Sequence, residues 1–136
     1  MSFIVVAALL TAQFTDFLHA AHRFLPEVRW KPHSMLTGDF ACRTHQDVAL
    51  LGTTDEEIVV AIFLDGAARE PRVLRYSAEA RNAATATLSI QPPGVDDPDA
   101  PPGSGRCTGL TLDDGEIDGA HIYWDSAAQD FNDWVR

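Results

Sequence analysis

At 136 residues the chain has the size of one domain, and a hydrophobic content of 46% suffices to bury one core. Its 20 Asp and Glu against 10 Lys and Arg leave a formal charge of −10, which repels nucleic-acid backbones and anionic lipid surfaces and argues against partners of either kind. From Asp96 onward ten acidic residues face only Arg106 and Arg136, a net of −8, so the C-terminal third is where a cation or a basic partner would bind.

The chain opens MSFIVVAALLTAQ, an apolar run from Phe3 to Leu10 that is too short to span a bilayer and is followed by the small residues Thr11 and Ala12. A secretory signal over residues 1–12 is the expectation. Against it stand the absence of Lys or Arg ahead of the run and Leu10 where a small residue is preferred, and the alternative is a first strand or a buried helical turn. No later stretch is long and apolar enough to serve as a membrane anchor. A domain over residues 13–136 follows.

Phe14, Phe17, Leu18, Ala21, Phe24 and Leu25 recur at helical spacing behind Thr15 and Asp16, and Pro26 ends the pattern. That is an amphipathic helix. Beyond it come short apolar runs broken by turns, at Asp47–Leu51, Ile58–Leu64, Arg72–Tyr76, Thr85–Ile90, Thr108–Leu112 and Ala120–Trp124, which read as strands. Thr53-Thr54-Asp55 and Asp65-Gly66 look like hairpin connections, so the expected fold is α+β, an N-terminal amphipathic helix packed on an antiparallel β-meander. Residues 91–105, QPPGVDDPDAPPGSG, hold five of the eight prolines and predict one long exposed loop. Arg69, Arg72 and Arg75 recur every third residue, which on a strand puts them on alternating faces.

Cys42 and Cys107 are the only cysteines and have no zinc-type spacing. In an exported chain they predict a disulfide; in a cytosolic one, two buried thiols. Asp39 and Asp47 bracket Cys42 in the stretch Leu36-Thr-Gly-Asp-Phe-Ala-Cys-Arg-Thr-His-Gln-Asp-Val-Ala-Leu-Leu-Gly52. This segment resembles the calcium-loop half of an FG-GAP or VCBS-type repeat, in which "GDF" opens an acidic loop and "DVALL" leads into a strand. Only Asp39 and Asp47 stand at ligand positions here. Ala41 and Arg43 fall where further acidic ligands would be, and Thr44 stands where a glycine would help the turn. Together with "FLP" after the helix and the late "CTGLTLDDGEIDGAHIYWD", the chain resembles exported bacterial proteins of this VCBS-like kind. The resemblance implies a periplasmic or secreted location, a β-rich fold, and a disulfide clamping a turn that a cation holds in relatives; it implies no established activity.

A second acidic segment, Asp114 to Asp125, places Asp114, Glu116, Asp118 and Asp125 at the oxygen spacing of an EF-hand loop. Calcium is therefore a candidate ligand. The flanking segment 120–124 alternates like a strand rather than a helix, so a polar turn is the competing reading. On that strand His121, Tyr123 and Asp125 share one face, with Ile122 and Trp124 on the other. His121 held by Glu116 or Asp118 would be a general acid or base, although no nucleophile motif accompanies it. His19 and His22, three apart on the helix, read as its polar flank.

Three functions remain open. The first is a non-enzymatic exported binding module, of an inhibitor or immunity type, that recognises a basic protein partner through the acidic C-terminal face and the aromatics Tyr123, Trp124, Phe131 and Trp134. The others are a hydrolase built on His121 and a calcium-stabilised structural domain. The sequence assigns no catalytic residue and no cofactor, and does not fix the oligomeric state.

Overall fold

The computed structural model describes residues 14–78, 82–94, 97–115 and 119–135. The expected secretory signal therefore lies outside the described residues. Helix α1 (residues 14–24) buries Ala20 and Ala21 completely, and these small side chains let the helix axis come close to the sheet beneath. Phe17 packs edge-on against Phe63 with ring centroids 5.3 Å apart. His19 and His22 lie on the exposed flank.

Nine strands follow among the described residues: β1 (Arg29–Trp30), β2 (Leu36–Gly38), β3 (Asp47–Thr53), β4 (Glu57–Phe63), β5 (Arg72–Ser77), β6 (Thr87–Gln91), β7 (Gly109–Asp113), β8 (Ala120–Asp125) and β9 (Asp130–Trp134). The helix and the six expected strands are all present. The single meander is not: the strands divide into two antiparallel sheets, one in the order β1-β3-β4-β5 with β2 also on β3, the other β6-β7-β8-β9. The chain leaves the first sheet after Ser77 and starts the second at Thr87.

β1 and β2 form an interrupted edge strand along β3, broken by a short helical turn at Pro32–Ser34. At the break the Ser34 hydroxyl accepts the Leu51 amide at 2.9 Å, so the amide of β3 is satisfied where the ladder is missing. Gly52 is required on β3 opposite Trp30: a Cβ there would lie 2.4 Å from the Val28 side chain.

The residues alternate between two cores. Val48, Leu50, Val59, Ala61 and Phe63 point toward α1, while Ala49, Leu51, Ile58, Val60 and Ile62 point toward the second sheet and meet Leu110, Leu112, Ala120 and Ile122. The layers are thus helix, sheet, sheet. Two cross-links tie the sheets at their margins. The Lys31 ammonium donates to the carbonyls of Ala83 and Ala86, each at 3.0 Å, and the Arg72 guanidinium on β5 pairs with Asp130 at 2.8 Å and donates to the Gln129 carbonyl at 2.9 Å.

Candidate functional site: a disulfide-floored groove at one end of the sandwich

Cys42 and Cys107 form a disulfide across 65 residues of chain. It joins the β2–β3 loop to the base of the long β6–β7 connection, the proline-rich segment expected to be a loop. That connection is a hairpin loop, its neck marked by the Gly94 amide donating to the Gly105 carbonyl at 2.8 Å.

The β2–β3 loop is organised by its two aspartates. Asp39 accepts the amides of Arg43 and Thr44, both at 2.9 Å, and Asp47 accepts those of Phe40 and Ala41 at 3.1 and 3.2 Å. Burial raises the Asp39 carboxyl, but the surrounding amide donors and the Arg43 charge outweigh it, and the group sits below its ordinary value of 3.8. Asp47 is fully buried. Its second oxygen meets the Arg43 guanidinium at 3.4 Å and the His45 ring at 3.2 Å, and Arg43 also reaches Asp65 at 3.3 Å and donates to the Leu64 carbonyl at 2.6 Å. A cation carried by the chain itself therefore sits among the oxygens of this loop. Cys42 and Thr44 both take left-handed backbone at φ 57, so the disulfide-bearing residue and the residue at the missing glycine hold the turn in a conformation L side chains seldom adopt.

Beside the disulfide lies a groove of about 560 Å³. Ala41, Cys42 and Arg43 form one wall, Pro102, Gly103, Arg106 and Cys107 a second, and Tyr123, Trp124, Asp125 and the 126–129 turn a third. Each wall is pinned. The Asp125 carboxylate accepts the amides of Ala127 and Ala128 at 3.1 and 3.3 Å, which shapes the β8–β9 turn, and Arg72 lies over the Trp124 ring at 5.8 Å from its centroid. Trp124 packs edge-on with Phe131 at 5.1 Å, and both are partly buried against the inter-sheet core.

The four aromatics expected to bind a partner therefore divide. Trp124 lines the groove with Phe131 behind it, whereas Trp134 lies on the outer face of the second sheet, stacked on His121 at 4.4 Å. Tyr123 touches both regions. Burial first, then the charges of Asp125 and Asp133, push its phenol up from 10.0, and the hydrogen bond with Asn132 only partly offsets them, so the hydroxyl stays protonated at neutral pH.

Of the acidic segment after β7, Asp114 is 1% exposed and its carboxylate accepts the Asn82 amide at 3.1 Å, while its carbonyl accepts the Thr85 hydroxyl at 2.5 Å. It fastens the crossing between the sheets. Asp125 is the last residue of β8, its carboxylate turned onto the β8–β9 turn, and Glu116 and Asp118 lie outside the described residues. Among the described residues no three His, Cys, Asp or Glu side chains converge as a metal set. His121 shares its polar face with Tyr123 as expected, and its Nδ1 lies 2.9 Å from the Gln91 side-chain oxygen.

The sequence singled out Cys42, Cys107, Tyr123 and Trp124 of the groove's lining, but not that they meet, since its walls come from three segments far apart in the chain. Among the described residues no helix is long and apolar enough to cross a membrane. The fold and site define a class only: an α+β domain with a helix on one of two stacked antiparallel sheets and a disulfide-bonded groove at its end. Compared with known proteins, the chain matches no family model, no curated protein and no solved structure.

Proposed function

We propose that this chain is an exported, non-enzymatic binding module that recognises a basic protein partner through its acidic surface, an uncharged segment of that partner entering the groove beside the disulfide, where Arg43 and Arg106 outnumber Asp125. The observation that carries the reading is the groove's construction: Tyr123 and Trp124 are held against two loops locked together by the Cys42–Cys107 bond. Aromatic side chains fixed in place contribute contact area at little cost in lost freedom, as binding anchors do. The polar groups beside them are engaged in shaping the walls, Asp125 in its turn and Arg43 on Asp47 and Asp65, rather than arranged as a nucleophile and its base. Export is supported by the apolar leader, by the resemblance of "GDF" and "DVALLG" to FG-GAP and VCBS-type repeats, and by the disulfide, which persists in oxidising compartments. The net charge of −10 steers a basic partner toward the domain.

The test uses the purified chain immobilised with its disulfide intact, presented with envelope extract, followed by calorimetry on any basic protein retained. A stoichiometric basic partner is expected, bound more weakly by Asp113→Lys/Asp133→Lys, which reverses two exposed charges, and by Trp124→Ala in folded protein. Retention that is indifferent to both variants would sink the proposal.

A further inference from the structure

The outer face of the second sheet is a different kind of surface from the groove. Ser89, Thr111, His121 and Trp134 follow one another across four strands in register, and Tyr123 pairs with Asn132 in the next row. Gly109 stands opposite Gln91; a Cβ at Gly109 would lie 2.7 Å from the Ile122 carbonyl oxygen, so the position stays without a side chain and leaves a dent. Around that dent Gln91, Gly109, His121, Tyr123 and Trp134 line a pit of about 10 Å³, with Ser104 of the proline-rich loop at its rim. No Asp, Glu, Lys or Arg among the described residues lines it, in a chain of charge −10.

We propose that this face binds a neutral oligosaccharide, a pyranose ring lying against Trp134 with one hydroxyl in the pit beside Gln91 and Tyr123. The chemistry selects such a ligand on three counts. An uncharged lining gives no advantage to an ionic group, and it does not charge a neutral one the cost of stripping water from a paired ion. A sugar offers C–H faces to an aromatic ring and hydroxyls that both donate and accept. Here the Gln91 oxygen accepts from the Thr111 hydroxyl at 3.3 Å and meets the His121 Nδ1 at 2.9 Å, which fixes the amide plane and directs its NH₂ donors away from those two partners. The protonated phenol of Tyr123, which accepts from Asn132, supplies a further donor. The third count is size: a pit of this volume takes about one water or one hydroxyl, the group a polyhydroxyl ligand carries in number. The site adjoins the groove and shares Cys107 and Tyr123 with it, but Gln91, Gly109, His121 and Trp134 belong to the pit alone.

Calorimetric titration of the full chain with cellohexaose, maltohexaose and chitohexaose, each at about 5 mM so that even a Kd near 1 mM is read, tests the proposal. At least one should bind saturably, with an affinity changed less than about twofold by added salt because no charge takes part. Trp134→Ala and Gln91→Ala should each weaken it about tenfold or more, as loss of about 1.4 kcal/mol does, while Arg69→Ala, exposed on the first sheet's β4–β5 loop and in neither site, leaves it unchanged. Should Trp134→Ala fail to fold by circular dichroism, Gln91→Ala and Tyr123→Phe carry the test. The proposal is overturned if no hexasaccharide binds, if binding survives in folded Trp134→Ala and Gln91→Ala, or if decaproline binds the same face and competes.

Discussion

The first sheet is covered on both faces and the second on one. In β3 and β4 nearly every residue is buried, Asp47 to Gly52 and Ile58 to Phe63, because α1 lies on one side and the second sheet on the other. In β8 burial alternates at the start, Ala120 and Ile122 inward and His121 and Tyr123 outward. A strand's sequence thus reports how many layers it separates: a continuous apolar run belongs to the middle of a stack, an alternating one to its surface. It also shows where recognition can occur, since a sheet face covered by a helix has nothing left to offer a ligand.

The sharpest way to break this comparison is a matched pair of substitutions. Leu51→Ala, from the fully buried strand, should cost about 2–5 kcal/mol in urea unfolding, whereas Thr111→Ala on the outer face of the second sheet should stay within about 0.5 kcal/mol. Equal losses would mean that the outer face is packed by something else.

Next in size is the disulfide. Releasing a cross-link over 65 residues removes about 4 kcal/mol on the chain-entropy account, so reduction should lower the melting temperature clearly and loosen the groove. Protein purified from an oxidising compartment should show no titratable thiol before reduction; two free thiols would contradict the assignment.

Two aspartates are buried among the described residues, Asp47 on β3 and Asp114 just after β7, and these sharpen the contrast further. Asp47→Ala leaves two amides and the Arg43 guanidinium without their shared acceptor and should cost about 3 kcal/mol, somewhat less than a fully enclosed ion pair because Arg43 is partly exposed. Asp114→Ala removes the acceptor of the Asn82 amide and should cost about 2 kcal/mol, equally in EDTA and in millimolar calcium if the residue acts as a fastener. A melting shift with calcium that Asp114→Ala abolishes would support the EF-hand-like reading of Asp114, Glu116, Asp118 and Asp125.

The smallest expected effect is acid sensitivity at Asp39. A carboxyl whose pKa is lower in the fold than its ordinary 3.8 adds stability that is present above that value and is lost as pH falls through the folded pKa. Melting temperatures followed from about pH 5 to about pH 2 should fall less steeply in Asp39→Asn than in wild type. Parallel curves would show that the amide donors do not hold the charge.

The residues of the helix and the six main strands were legible because apolar spacing reflects local burial directly. β9 was not, since Asp130-Phe-Asn-Asp-Trp134 carries three polar residues of low strand propensity and is held instead by its partner β8 and by Arg72 reaching across from β5. β1 and β2 escaped for a related reason, being only two and three residues long and stabilised by β3. Within the candidate sites the cysteines and the outward row of His121 and Tyr123 could be read in advance, but the separation of Trp134 from Trp124 could not.

By itself, then, the sequence determined composition, charge, the helix, most strands and the two sulfurs available for a bond, all of which depend on residue type and near-neighbour spacing. The tertiary structure alone decided that the strands form two sheets, that Arg43 sits among the oxygens of Asp47, Asp65 and Leu64, and that three distant loops enclose one groove. Those outcomes turn on which apolar faces find each other, and that choice is made between segments tens of residues apart, where no local pattern reaches.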